Sequence, residues 1–162
     1  SWEGNPYLNF GHGLKTAIVM TGVVNGMPLC YSGQEAGLNR SLKFFEKDPI
    51  VWKHDENEEL FTKLFHLKHN NQALWNGKYG GEMIRVVNDH QDQIISFYRE
   101  MNKDAVLPIL NFSDKEVAVN LDTKYYKGTY EELFTGKIYQ ISDQTSLKIE
   151  PWSYLVLVKK SK

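Results

Sequence analysis

The chain carries five histidines, one cysteine and 20 acidic residues, and few of them stand at a spacing that supports a reaction. His54-Asp55 mimics a catalytic His-Asp pair, but Asp55 opens a helical pattern and Glu58 follows three residues on. That is capping-box spacing, so the predicted task of Asp55 is to cap a helix. His66 and His69 are three apart on the same helix, whereas helical zinc pairs more often stand at i, i+4 with a third ligand, and none is evident here. They read as surface histidines, and His12 and His90 have no partner visible in the sequence. Cys30 lies between Leu29 and Tyr31 and has no second cysteine to pair with, which predicts a buried thiol. Trp2, Tyr7 and Phe10 have faces suited to sugar rings. Tyr125, Tyr126, Tyr130 and Trp152 could serve an accessory surface in the same way, although packing is the commoner use of such residues. Glu131-Glu132 reads as a solvated strand edge. No Gly-rich phosphate loop, Gly-x-Ser-x-Gly elbow or Cys-x-x-Cys pair is present.

These residues sit in a chain of 162 with 41% hydrophobic content and a formal net charge of −1. Such a chain can pack one medium domain, or a small domain with an added segment. Charges of both signs are scattered, without the basic stripe expected of a nucleic-acid binder. No apolar run approaches a membrane span. The opening Ser1-Trp2-Glu3-Gly4 has no signal-peptide core and does not read as a natural start. The compartment stays unassigned.

Two kinds of periodicity divide the chain. Leu14, Ala17, Ile18, Val19, Met20, Val23 and Val24 predict a helix over Gly13–Val24, buried on most sides and stopped by Asn25-Gly26. Met27–Tyr31 then reads as a short buried strand. After a polar loop, Leu60, Phe61, Leu64, Phe65 and Leu67 form the apolar face of a second helix, which fades by Asn70-Asn71. From about Glu82 the period becomes two. Strands are predicted at Met83–Val87, Gln93–Arg99, Ala105–Phe112, Glu116–Leu121, Thr129–Leu133, Lys137–Ile141, Ser146–Ile149 and Tyr154–Lys159. Short strands joined by tight turns indicate an antiparallel sandwich. The expected boundary is the glycine cluster Gly77–Gly81.

Gly26-Met27-Pro28-Leu29-Cys30-Tyr31-Ser32-Gly33-Gln34-Glu35 resembles the eighth barrel strand of glycoside hydrolase family 13, the α-amylase family, with its trailing Gly-Gln-Glu. Phe61–Lys68 through Ala73-Leu74 resembles that family's last barrel helix, with Gln72 in place of the usual proline. Ile94–Arg99 and Leu110–Ser113 resemble the opening of its C-terminal domain. The resemblance implies a mainly β fold: an antiparallel β-sandwich of the α-amylase C-terminal type, preceded by the last α/β segment of a TIM barrel. Residues 1–77 would be the incomplete (β/α)8 segment and 82–162 the sandwich.

In that family the nucleophile, the general acid/base and a transition-state aspartate lie on earlier strands. Ser1–Gly4 resembles the loop just past the last of them, so no catalytic residue is assigned in this chain. Retaining hydrolysis needs two carboxyl groups about 5–5.5 Å apart, and no pair here is given that role. Trp2, Gln34 and Glu35 are expected at the edge of the substrate cleft, because barrel enzymes place their sites at the C-terminal ends of strands. The parent would be a retaining glycosidase of α-glucans, with a transglycosylating or isomerising member of the family as a further alternative; no cofactor is expected, and no metal ligand is assigned in this chain. Its partners would be an α-glucan or oligosaccharide and the missing barrel portion. The chain alone is expected to be inactive, with its apolar helices packed on the sandwich or on a second copy as a homodimer. The rival reading is a non-catalytic carbohydrate- or protein-binding sandwich with Gly77–Gly81 as linker.

Overall fold

The computed structural model of the chain describes residues 5–43 and 45–160. Helix α1 (Pro6–Phe10) begins at Asn5, whose Oδ1 accepts from the Leu8 N–H at 3.0 Å. A 3-10 turn, Gly11–Gly13, leads into α2 (Leu14–Val23). Asp55 caps α3 (Glu56–Asn70), accepting from the Asn57 N–H at 3.1 Å. The charge order of α3 suits its dipole, with Glu56, Glu58 and Glu59 in the first turn and Lys68 and His69 in the last. Eight strands follow: β1 (Ile84–Arg85), β2 (Ile94–Met101), β3 (Asp104–Asn111), β4 (Val117–Asp122), β5 (Gly128–Glu132), β6 (Ile138–Ile141), β7 (Gln144–Ile149) and β8 (Tyr154–Lys159). Each of the predicted strands after Glu82 is present, β1 and β6 shorter than expected.

The strands form a six-stranded sheet in the order β1-β2-β3-β8-β5-β6 and a two-stranded sheet, β4-β7. Every pairing is antiparallel. Val117, Val119 and Leu121 point inward from β4 and meet Tyr98, Leu107, Ile109 and Leu157 of the larger sheet. The opposite face of that sheet, through Phe97, Val106, Leu110 and Val156, packs on Leu14, Ile18, Val19 and Val23 of α2 and on Leu60, Phe61 and Leu64 of α3. The large sheet is therefore a middle layer, buried on both faces. This accounts for the almost unbroken apolar run Ala105–Leu110 in β3, since a strand covered on both sides loses the polar alternation of a half-exposed one. Pro108 sits in that central strand without an N–H to give. The β2–β3 pairing runs from Ile94 to Ser96 and from Arg99 to Met101, skipping the stretch beside the proline.

Helix α2 is apolar around most of its circumference because it is enclosed by both the sheet and α3. Burying Ile18, Val19 or Val23 contributes about 1.5–3 kcal/mol each relative to leaving it exposed. The two helices cross closely at Gly22, where a Cβ would stand 3.0 Å from Leu64 Cδ2. The helical half thus packs on the sandwich within one chain, one of the two arrangements expected from its apolar faces.

Two sequence expectations are overturned. Met27–Tyr31 is extended but has no ladder partner among the described residues. Met27 (81% exposed), Leu29 (77%) and Tyr31 (53%) face outward, while Cys30 is half-buried against the helical core. A strand is defined by its neighbours, and this stretch has none among the described residues. Glu131-Glu132 is not a solvated pair. Glu131 does reach solvent and binds Lys160, but Glu132 is only 2% exposed. Its Oε2 accepts from the N–H groups of Phe134 and Thr135 and from the Thr135 hydroxyl, and its Oε1 from the Val156 N–H. Three backbone donors of a tight turn and a neighbouring strand would otherwise be buried without partners, which is what holds a carboxylate there.

Candidate functional site

The loop after Met27–Tyr31 is built around its own side chains. Gln34 Oε1 accepts from the Tyr31 N–H at 2.8 Å, and Glu35 Oε2 accepts from the Gly33 N–H at 2.9 Å. The Cys30 thiol lies 3.5 Å from the same carboxylate oxygen. Burial and the neighbouring Glu35 charge push the Cys30 thiol up to about 11, so it is protonated at neutral pH. Both side chains expected at a cleft edge are therefore committed to shaping their own turn.

The start of α3 locks this loop in place. Asn57, 3% exposed, donates through Nδ2 to the Gln34 carbonyl and to the Tyr7 hydroxyl, each at 3.0 Å. Gly37 has φ +66°, and a Cβ there would collide with the Asp55 carboxylate. Only glycine accommodates both the left-handed backbone and that approach. Tyr7, Gln34 and the α3 cap are thereby brought together. Beside them lies a concavity of ≈ 240 Å³ lined by Asn5, Tyr31, Ser32, Gln34, Leu38 and Arg40. Arg40 grips Asp48 with both Nη atoms, at 2.5 and 2.7 Å, which holds the Asp48 carboxyl below its usual range. Pro6, Leu38 and Leu42 make most of its surface apolar, with the Tyr31 and Ser32 side chains among its polar groups.

The other candidates separate from this loop. Trp2 lies outside the described residues. Phe10 is 54% exposed at the end of α1. His54 makes an exposed contact with Glu58 at 2.9 Å, and His66 and His69 are exposed on α3. No group of three His, Cys, Asp or Glu side chains among the described residues could hold a metal ion. Among the aromatics of the sandwich, Tyr130 is fully buried, and Trp152 lies against Gly13, where a Cβ would stand 3.1 Å from the ring. Tyr125 is 80% exposed.

Three residues that position this half gave little signal in the sequence. Arg99 is fully buried with no carboxylate partner among the described residues. Its Nε donates to Gly81 O, one Nη to Val23 O and Val24 O, and the other to Trp75 O, all at 3.0 Å. At the other end of α2, the Thr16 hydroxyl donates to the Trp152 carbonyl. Asn57 is the third. An apolar-periodicity reading ranks all three as surface residues, because their burial depends on partners tens of residues away.

Comparison with known proteins covers both halves. Residues 84–156 match the family described as Maltogenic Amylase, C-terminal domain. Alpha-amylase 2 of Dictyoglomus thermophilum is 30% identical over 159 residues, a match that takes in 90% of this chain and 25% of that protein. The chain thus spans about a quarter of the length of that relative. Among solved structures, the noncanonic maltogenic α-amylase AmyB from Thermotoga neapolitana superposes with a TM-score of 0.79 at 24% identity, over 94% of this chain and 37% of that one. AmyP in complex with maltose gives 0.69 at 16%, over 93% and 36%. The chain is the C-terminal portion of an α-amylase-family protein, glycoside hydrolase family 13, with its maltogenic-amylase C-terminal domain at residues 84–156.

Proposed function

We propose that this chain works as the C-terminal part of a retaining glycosidase acting on α-glucans, and that it contributes scaffold and one edge of the cleft but no catalytic acid. The observation that carries this reading is the match to Alpha-amylase 2, which extends over the helical half as well as the sandwich. Residues 1–77 are then the terminal barrel segment. Met27, Leu29 and Tyr31 form the face on which the rest of the barrel packs, which suits an extended run whose apolar side chains point away from its own core. Gln34 and Glu35, with Trp2, form the cleft edge. Their role is to fix the shape of the turn, consistent with the hydrogen bonds both side chains make within it. The maltose bound by AmyP, a structural neighbour, fits the same substrate class.

The test is made on the longer protein that carries this chain. It is expected to release reducing ends from soluble starch with retention at the anomeric carbon, read by NMR. Glu35→Gln is expected to raise KM with a smaller effect on kcat. A longer protein without α-glucan activity, or one in which Glu35→Gln abolishes kcat at unchanged KM, would overturn the reading.

A further inference from the structure

The chain contains two Asn-Gly pairs, Asn25-Gly26 and Asn76-Gly77, and the fold brings them to the same place. Arg99 donates to the carbonyl just before each pair, to Val24 O and to Trp75 O, both at 3.0 Å. Asn76 then reaches across to the other loop, its Nδ2 lying 2.8 Å from the Met27 Sδ. An asparagine followed by glycine is open to a reaction of its own. The next backbone nitrogen can close a five-membered ring on the side-chain carbonyl carbon, and glycine has no Cβ to obstruct the approach. The surroundings of that nitrogen and that side chain decide how readily the ring forms.

The two pairs differ in those surroundings. Asn76 is half-buried, its Oδ1 is shut off from solvent, and its Nδ2 is engaged by Met27. Gly77 opens the 3-10 turn Gly77–Tyr79, and its carbonyl accepts from the Gly80 N–H at 3.3 Å. The Asn76 carbonyl accepts from the Tyr79 N–H at 3.4 Å. Closing a ring there would turn the Asn76–Gly77 peptide out of these bonds. Asn25-Gly26 is under no such restraint. Both residues are exposed in the bend that follows α2. Neither the Asn25 side chain nor the Gly26 N–H has a hydrogen-bond partner among the described residues. Gly26 has φ +116°, and no atom lies within 4 Å of where a Cβ would stand, so water reaches the peptide from that side.

We propose that Asn25 is a modification site, where the side-chain amide is converted spontaneously to a carboxylate, and that the fold protects Asn76 from the same fate. The Gly26 nitrogen gives its proton to base in solution and bonds to Asn25 Cγ. The Cγ–Nδ2 bond breaks, and the nitrogen takes up a proton and leaves as ammonia. Water then adds to either carbonyl of the ring and opens it, giving aspartate or isoaspartate at position 25. One water is consumed for each ammonia released, and nothing is oxidised or reduced. The product sets a negative charge one residue past the two carbonyls of the α2 end that Arg99 holds. Isoaspartate also adds a methylene to the main chain between that anchor and Met27. This chemistry uses nothing of the α-glucan reading.

The test is peptide mapping by mass spectrometry of the folded chain during incubation at mildly alkaline pH, with the same chain in urea alongside. In the folded chain Asn25 is expected to convert about tenfold faster than Asn76, the factor in rate that one net hydrogen bond on the barrier supplies. Isoaspartate should form together with aspartate at position 25, and the rate should rise with pH as the Gly26 nitrogen is deprotonated more often. In urea the two pairs are expected to convert at comparable rates, because the restraints on Asn76 are lost with the fold. Asn25→Gln, which would have to close a six-membered ring, is expected to show no conversion at that position over the same time. Equal rates at Asn25 and Asn76 in the folded chain, or a faster Asn76, would overturn the proposal. So would a preference for Asn25 that persists undiminished in urea, which would place its cause in the neighbouring residues and not in the fold.

Discussion

Arg99 of β2 donates to the carbonyl of Val23 at 3.0 Å, joining the end of α2 to a strand 76 residues later in the chain. The same guanidinium holds Val24, Trp75 and Gly81. A charge this deeply buried usually needs a carboxylate. Here the C-terminal carbonyls of α2 supply the negative end of a helix dipole, and each donor direction of the planar fork used here finds an oxygen.

Removing this pin should uncouple the two halves. Arg99→Met is expected to cost at least ~3 kcal/mol, because four buried or half-buried carbonyls lose their donor together. Arg99→Lys should recover only part of that, since an ammonium cannot span four oxygens in that plane. Denaturant unfolding gives the size. Hydrogen exchange should show α2 losing protection before β3, and equal loss in both would contradict a local pin.

Glu132 is the corresponding residue of the sandwich. Glu132→Ala is expected to destabilise by about 2–4 kcal/mol, from three backbone N–H groups left unsatisfied. Glu131→Ala, one position away and paired only at the surface, should stay within about 0.5 kcal/mol. Thermal unfolding of the two variants side by side checks both values. Similar costs would show that the turn does not depend on the buried carboxylate.

The Cys30 thiol reports on the turn proposed as a cleft edge. With burial and Glu35 both opposing the thiolate, its ultraviolet titration is expected to centre at about 11. Alkylation near pH 8 should accordingly be slow. Glu35→Gln removes the charge and should move the midpoint down and speed alkylation, since burial, opposed by the Glu35 backbone hydrogen bond, then remains. An unchanged midpoint would mean that the Cys30–Glu35 contact does not persist in solution.

Most of the sandwich was legible in the sequence because each strand announces itself locally. The alternation at Val117, Val119 and Leu121 and the hairpin turn at Asn102, which takes φ 57°, are properties of a few adjacent residues. Asp55 was legible as a cap for the same reason. Met27–Tyr31 differs from its strand pattern because such a pattern states what a segment can pair with, and no described residue pairs with it. Arg99, Glu132 and Asn57 were passed over because polarity argues for the surface unless the buried groups they satisfy are known, and those come together only in the folded chain. Within the candidate site, the turn at Gln34–Glu35 was found by its resemblance, and its anchoring by Asn57 was not.

The outward side chains of Met27, Leu29 and Tyr31 make the isolated chain self-associating if they serve as a packing face. Sedimentation velocity over rising concentration is expected to show a reversible homodimer. Met27→Ser with Leu29→Ser should shift it to monomer without lowering the unfolding temperature, since both side chains are mostly exposed. Monomer at all concentrations would argue against an adhesive face.

We have proposed that this chain forms part of a longer α-glucan-acting protein whose bond-breaking groups lie outside it. The most direct measurement is release of reducing sugar from maltoheptaose by the purified, folded 162-residue chain. No release above the buffer rate is expected over a prolonged incubation, because without a nucleophile and a general acid the bond has no covalent or protonated route to break. Turnover that follows the protein through successive columns and survives Glu35→Gln would contradict the claim, by showing that a working pair of carboxyl groups resides within this chain.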